Sequence, residues 1–117
     1  MIKFDEQKQL DSVAGALAIR KEIEGIAADV AGRGYKNICY LGIGGTYASA
    51  LQTQNHVQEY SGMEIIAQNA ALYNTTGNRR IGKDTVIVLS SVTGTTQEVV
   101  AAVEKAKAVA ARVEVLF

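Results

Sequence analysis

The chain has 117 residues, the length of one domain, and we predict a single domain over residues 1–117. Twelve basic and twelve acidic side chains give a formal net charge of zero, so no overall field would attract nucleic acid or a membrane surface. Because no apolar run reaches the ~18 residues that span a bilayer, and no signal-peptide core is present, we expect a soluble, cytoplasmic protein.

The single cysteine, Cys39, lies in an apolar run from Ile38 to Leu41. One thiol cannot form a disulfide within the chain, and its apolar neighbours predict a small core residue rather than a reactive group. The sequence also lacks the ligand spacing of metal sites. We therefore expect neither a metal nor a cofactor.

Residues 7–33 carry apolar side chains at helical spacing in two registers, which change near Gly15. This pattern predicts a short helix that ends at residue 14 or 15. A longer helix is predicted from about Leu17 to Ala31, and the glycines on both sides of Arg33 would end it.

Short apolar runs predict strands over residues 38–41, 64–67 and 85–89, and an alternation of polar and apolar side chains predicts a fourth strand over residues 112–117. Helical patterns cover residues 47–61 and 96–111. Residues 69–83 are rich in Asn, Thr and Gly and predict a long loop with at most one helical turn, at 70–73. The alternation of strands and helices predicts an α/β fold: a three-layer αβα sandwich with a flavodoxin-like parallel sheet in the order 2-1-3-4.

A glycine-rich turn, Gly42-Ile43-Gly44-Gly45-Thr46, joins the first predicted strand to the helix after it. Three glycines in four residues let the backbone come close to a bound group. The helix that follows points free N–H donors and the positive end of its dipole at the turn. This environment suits an oxyanion.

A second polar loop, residues 90–96, follows the third predicted strand and contains five hydroxyl side chains and a glycine. In a sheet of order 2-1-3-4 the carboxyl ends of strands 1 and 3 are neighbours, so both loops face the crevice at the topological switch point. The two loops together predict a site for a phosphate carried by a hydroxyl-rich small molecule.

Two nucleotide-binding motifs do not fit the glycine-rich turn. A dinucleotide fingerprint needs a third glycine where Tyr47 stands and an acidic residue where the chain has Gln68 and Asn69. A Walker A loop needs a lysine, and none occurs between Lys36 and Lys83. We therefore do not expect a dinucleotide site, and an ATP-type phosphate site is excluded at the level of the motif.

Several candidate residues also have explanations that need no ligand. Thr95 followed by Glu98 matches a capping box, and a cluster of hydroxyls can form an ordinary turn. His56, the only histidine, is either a surface or packed residue or a catalytic one. Arg79 and Arg80 are either solvated or reach an anionic group.

The segments Gly-Ile-Gly-Gly-Thr-Tyr-Ala-Ser-Ala at 42–50 and Ser-Val-Thr-Gly-Thr-Thr-Gln-Glu at 91–98 resemble the SIS (sugar isomerase) domain of phosphosugar-binding proteins. Within that family the chain is most similar to the fructosamine 6-phosphate deglycases and to the isomerase half of glucosamine-fructose-6-phosphate aminotransferase. The resemblance implies that Gly45 and Thr46 contact the sugar or its phosphate. The full set of implied phosphosugar-binding residues is Gly44, Gly45, Thr46, Ser91, Thr93, Gly94, Thr95 and Thr96, with His56 and Glu98 as secondary candidates.

The same resemblance implies a truncated SIS domain, the N-terminal half of a sugar-phosphate isomerase or deglycase that acts on phosphorylated ketose amines. The alternative is a non-catalytic, phosphosugar-sensing domain. On this basis we expect a phosphorylated sugar or sugar-amine as ligand, no nucleic acid or membrane partner, and catalytic residues that lie largely outside this chain. We also predict a homodimer, formed through the polar helix at 47–61 and the exposed edge of the fourth strand.

Overall fold

A computed structural model describes residues 3–91, 93–109 and 112–116. The chain divides into two compact units, Met1–Gly34 and Tyr35–Phe117. Within the described residues, no helix is both long enough and apolar enough to cross a membrane.

The first unit consists of two helices, α1 over Glu6–Ala18 and α2 over Arg20–Arg33. Asp5 caps α1, because its carboxylate accepts a hydrogen bond from the Lys8 N–H at 2.9 Å. The predicted division into two helices is confirmed, but the break lies at Ile19 rather than near Gly15, since α1 continues to Ala18. One glycine costs a helix about 1 kcal/mol relative to alanine, which is too little to end a helix rich in good helix formers.

The second unit is built on four parallel strands: β1 over Asn37–Gly42, β2 over Ile65–Asn69, β3 over Thr85–Ser90 and β4 over Arg112–Leu116. Their order is β2-β1-β3-β4, which confirms the predicted topology. Three helices connect them: α3 over Gly45–Tyr60, α4 over Ala70–Thr76 and α5 over Gln97–Ala108.

The path of the chain places the helices on both faces of the sheet. From β1 to β2 the chain moves in one direction, and from β2 to β3 to β4 it moves in the other. Right-handed crossovers therefore put α3 on one face and α4 and α5 on the opposite face. The main core lies under α4 and α5, where Cys39, Leu41, Ile87 and Leu89 pack against helix side chains. The predicted three-layer sandwich is confirmed.

The segment after β2 differs most from its prediction. Residues 70–76 form α4, two helical turns where at most one was predicted. Asn69 caps this helix by accepting a hydrogen bond from the Leu72 N–H at 3.1 Å. Tyr73 is buried, and Lys105 of α5 donates to its carbonyl at 2.8 Å. Contacts with α5 therefore stabilise a segment whose composition is typical of a loop.

The remaining differences are at the ends of elements. Helix α3 begins at Gly45 rather than residue 47, and α5 begins at Gln97 rather than residue 96. The predictions for Ala110 and Ala111 at the end of α5, and for Phe117 at the end of β4, lie outside the described residues.

Candidate functional site

The turn between β1 and α3 needs glycine at two positions. A Cβ on Gly42 would lie 2.5 Å from the Tyr47 backbone nitrogen, so only glycine lets the first turn of α3 pack so close to the end of β1. Gly44 has φ 60° and ψ −124°, a conformation that other residues rarely adopt. These two glycines place the start of α3 directly beyond the end of β1.

Thr46 fixes the shape of this first loop. Its hydroxyl donates to the Ile43 carbonyl at 2.9 Å and accepts from the Ile43 N–H at 3.0 Å. The backbone N–H groups in the first turn of α3 have no acceptor within the helix. The loop therefore presents backbone donors, while the Thr46 hydroxyl is engaged within the loop itself.

Hydroxyl side chains also organise the second loop, between β3 and α5. Ser91 accepts a hydrogen bond from the Gly94 N–H at 2.9 Å, and Gly94 has a φ of 71°. The Thr93 hydroxyl accepts from the Thr95 N–H at 3.2 Å and is hydrogen-bonded to the Thr95 hydroxyl at 3.1 Å. Val92, also in this loop, lies outside the described residues.

The predicted capping box at Thr95 and Glu98 is wrong. Helix α5 begins at Gln97, so the capping position belongs to Thr96, and the residue three positions later is Val99 rather than Glu98. The Thr96 side chain makes no capping hydrogen bond. The Thr95 hydroxyl is hydrogen-bonded to Thr93, so the hydroxyl next to the first turn of α5 is that of Thr96. Within the described part of the chain, the Thr96 hydroxyl has no hydrogen-bond partner.

The two loops form one cleft of about 390 Å³. It is lined by Ile43, Gly45, Thr46, Ser91, Thr93, Thr96 and Val99. The first turns of α3 and α5 thus meet at the carboxyl edge of β1 and β3, as the sheet order predicts. None of these lining side chains is charged, so helix dipoles, backbone N–H groups and hydroxyls supply the electrostatics of the cleft.

The cleft includes five of the predicted binding residues: Gly45, Thr46, Ser91, Thr93 and Thr96. Three others, Gly44, Gly94 and Thr95, lie in the two loops but not in the lining. Ile43 and Val99 also form walls of the site, and neither was among the predicted binding residues. The position of Ile43 between the glycines was the available signal, whereas Val99 could not be distinguished from the other core residues of α5.

The secondary candidates do not line the cleft. His56 is exposed on α3, and its ring centroid lies 4.9 Å from that of Tyr60 at a tilt of 48°. Glu98 is also exposed, and its backbone carbonyl accepts a hydrogen bond from Asn74 at 2.9 Å. Among the described lining residues, no side chain is placed to act as a general acid or base.

Arg80 lies at the opposite edge of the sheet. It pairs with Glu64, just before β2, and its carbonyl accepts a hydrogen bond from Asn37 at the start of β1, at 3.0 Å. The hydrogen bond from Arg80 lowers the pKa of Glu64 below its ordinary value of 4.5. Arg80 is therefore exposed, as one of the two predictions has it, but it is paired with Glu64 at the amino edge of the sheet and does not reach an anion in the cleft.

Cys39 is completely buried in the core, which confirms the structural role predicted for it. Burial raises the pKa of its thiol to about 12, because the apolar core disfavours the thiolate. The cysteine therefore contributes packing rather than chemistry.

Comparison with known proteins gives a family match and several structures of similar fold. Residues 33–117 match the family model of the SIS domain. A search of curated proteins gives no match.

The three structures are at most 23% identical to the chain and share its fold. A proposed phosphosugar isomerase from Salmonella typhimurium LT2 has a TM-score of 0.68 at 23% identity, with 77% of this chain and 28% of that chain covered. One from Bacillus subtilis has a TM-score of 0.68 at 20% identity, with 81% and 29% covered. A proposed sugar-phosphate isomerase from Listeria monocytogenes 4b F2365 has a TM-score of 0.64 at 18% identity, with 97% and 65% covered. The chain thus spans less than a third of the first two and about two thirds of the third.

Proposed function

The chain belongs to the SIS domain family, and on that premise we propose that it binds a phosphorylated sugar in the cleft between its two loops. The observation that carries the proposal is the convergence of two helix N-termini and several hydroxyl side chains on one cleft. The phosphate is placed at the first turns of α3 and α5. The sugar extends from there into the rest of the cleft.

The chemistry of the lining favours a phosphate group. The first-turn N–H groups of two helices need acceptors, and phosphate oxygens accept several hydrogen bonds at once. The Thr96 hydroxyl is uncommitted, and Ser91 accepts from Gly94 while keeping its own proton to donate. Hydrogen bonds to a charged oxygen are stronger than those between neutral groups, so the anion can bind firmly without a lysine or arginine.

The size of the cleft and the structural relatives support a sugar as the rest of the ligand. A volume of about 390 Å³ lies within the range of small-molecule sites. The three structures of similar fold are proposed phosphosugar or sugar-phosphate isomerases. Ile43 and Val99 would contact the carbon skeleton.

The finer proposal is that binding here serves the isomerisation or deglycation of a phosphorylated ketose amine. Such a reaction needs a general base that removes a proton beside the carbonyl group. None of the described lining residues can supply that base, so this chain contributes binding and positioning. The base would come from residues outside the described lining.

The alternative is a sensor that binds a phosphosugar without converting it. The same observation favours it, because a lining of hydroxyls, glycines and apolar side chains is sufficient for recognition. The two functions share the binding step and differ in whether the bound sugar turns over.

Calorimetric titration tests the binding step. We expect fructose 6-phosphate to bind and fructose to show no measurable binding, because the helix N-termini recognise the anion. Equal affinity for the two sugars would overturn the proposal. An assay for interconversion of fructose 6-phosphate and glucose 6-phosphate by the same sample then separates an isomerase from a sensor.

A further inference from the structure

A second, smaller pocket lies beside the cleft, within the second unit. Its volume is about 180 Å³, and its walls come from the end of β3, the second loop and α5. Two of its lining residues, Ser91 and Val99, also line the cleft. We call this space the side pocket, and its other lining residues are Leu89, Gly94, Val100, Val103 and Glu104.

The side pocket is closed at one end and open at the other. Leu89 and Val99 are 3% and 6% exposed, whereas Val100 is 47% exposed. Glu104 follows Val100 by about one helical turn, and its side chain is 70% exposed. The side pocket therefore has a buried, apolar inner end, and its outer end reaches solvent beside the Glu104 carboxylate.

The side pocket offers a ligand a single ionised group. At the loop, the Gly94 N–H donates to the Ser91 hydroxyl at 2.9 Å, so these two polar groups are already paired. Among the described lining residues, only Glu104 is charged. The Lys107 ammonium lies 3.9 Å from its carboxylate, and both side chains are mostly exposed. Such a pair contributes little to stability, so another cation can replace Lys107 at the carboxylate.

The size and charge of the side pocket define the chemistry of its ligand. An engineered protein cavity of about 150 Å³ with apolar walls stays dry and binds benzene. The side pocket, at about 180 Å³, can thus hold an apolar group of about four to six carbon atoms. The carboxylate at the outer end attracts a cation and repels a phosphate ester. The side pocket therefore suits a different ligand from the one proposed for the cleft.

We propose that the side pocket binds a small primary alkylammonium ion. The alkyl chain packs against Leu89, Val99 and Val103, and the ammonium group pairs with the Glu104 carboxylate at the outer end. An alkyl carboxylate of the same length would fill the apolar end equally well but would bring two negative charges together. The proposal does not depend on phosphosugar binding in the cleft.

NMR titration of the full chain with n-pentylammonium chloride tests the proposal. We expect saturable shifts of the methyl groups of Leu89, Val99 and Val103. The dissociation constant should fall about three- to fourfold for each methylene group added from propyl- to pentylammonium, because each buried methylene contributes a similar free energy. Pentanoate should cause no saturable shift. A failure of pentylammonium to saturate these shifts, or an equal affinity for pentanoate, would overturn the proposal.

Glu104→Gln tests the contact with the ammonium group. It should weaken binding of n-pentylammonium about two- to fivefold, the loss expected for an exposed ion pair. Glu59→Gln removes the same charge from an exposed position on α3, across the sheet from the side pocket, and should leave the affinity within about 1.5-fold. Circular dichroism shows that both variants are folded. Equal affinities of the two variants for pentylammonium would contradict a site at Glu104.

Discussion

At the scale of single residues, two neighbouring threonines have different roles. Thr95 is exposed and hydrogen-bonded to Thr93, whereas Thr96 lines the cleft and keeps its hydroxyl uncommitted. The sequence does not distinguish them, because each stands close to the start of a helical pattern. Ser91 and Thr93 accept hydrogen bonds from the backbone of the loop. Helix α5 begins after this hydrogen-bonded loop, with Thr96 at the capping position instead of Thr95, one residue later than the capping motif indicates.

Replacing each threonine with valine tests this assignment. Thr96→Val should weaken binding of fructose 6-phosphate roughly 10- to 100-fold, the loss expected for one hydrogen bond to a charged group. Its free energy of unfolding should change by less than about 0.5 kcal/mol, because the hydroxyl makes no capping bond. Thr95→Val is the matched control and should leave binding within about twofold. Calorimetry and urea denaturation measure both, and a larger binding loss in Thr95→Val would reverse the assignment.

The ion pair between Glu64 and Arg80 makes the stability of the fold depend on pH. The hydrogen bond from Arg80 lowers the pKa of Glu64 in the folded chain below 4.5. A depressed carboxyl pKa stabilises the fold above its unfolded-state value, and this contribution is lost as the pH falls through the folded-state pKa. Carbon-detected NMR should therefore show Glu64 titrating below 4.5 in the native chain and closer to 4.5 in Arg80→Gln.

The neighbouring Arg79→Gln removes the same charge without removing this ion pair. The pKa of Glu64 in that control should stay near its native value. The fall of the unfolding free energy below pH 4.5 should be shallower in Arg80→Gln than in the control. A Glu64 pKa that is the same in all three proteins would show that the ion pair does not persist in solution.

At the scale of elements, strands are easier to predict from this sequence than helix ends. β1, β2 and β3 are short runs made up mostly of apolar residues, so hydrophobicity alone identifies them. Helix α4 is different, because its sequence, Ala-Ala-Leu-Tyr-Asn-Thr-Thr, is loop-like in its second half. It is stabilised by the Asn69 cap and by Lys105, which is 32 residues away from Tyr73 in the chain. Sequence periodicity does not report a contact at that separation.

Lys105 is therefore expected to matter more than a surface lysine. Its ammonium group donates to the carbonyls of Tyr73 and Asn74 at the end of α4 and lies 5.1 Å from the centre of the Tyr73 ring. Lys105→Met should cost about 1–2 kcal/mol of unfolding free energy, because it leaves the last carbonyls of α4 without this donor. Lys107→Met, which removes only an exposed pair with Glu104, should cost less than about 0.5 kcal/mol.

Thermal unfolding of the two lysine variants compares their stabilities, and hydrogen exchange shows which part of the chain is destabilised. The amides of α4 should lose protection in Lys105→Met and keep it in Lys107→Met. Equal stabilities for the two variants would show that α4 does not depend on this contact.

At the scale of the whole molecule, the sequence was sufficient for the topology and for the position of the cleft. Glycine and hydroxyl loops follow two strands that the sheet order makes neighbours, and the structure brings them together. The position of Arg80 at the amino edge could not be predicted, because it depends on the path of the chain between α4 and β3. The apolar spacing within residues 7–33 predicts helices, but periodicity does not identify what their apolar faces contact.

Amide NMR titration with fructose 6-phosphate tests whether the two loops form one phosphate-binding site. We predict coincident shifts, with one dissociation constant, for the amides of Gly45 and Thr46 in the first loop and of Thr96 and Gln97 at the start of α5. Fructose at the same concentrations should leave all four unchanged. Shifts confined to one loop, or the same shifts with fructose, would rule out a single phosphate site shared by the two loops.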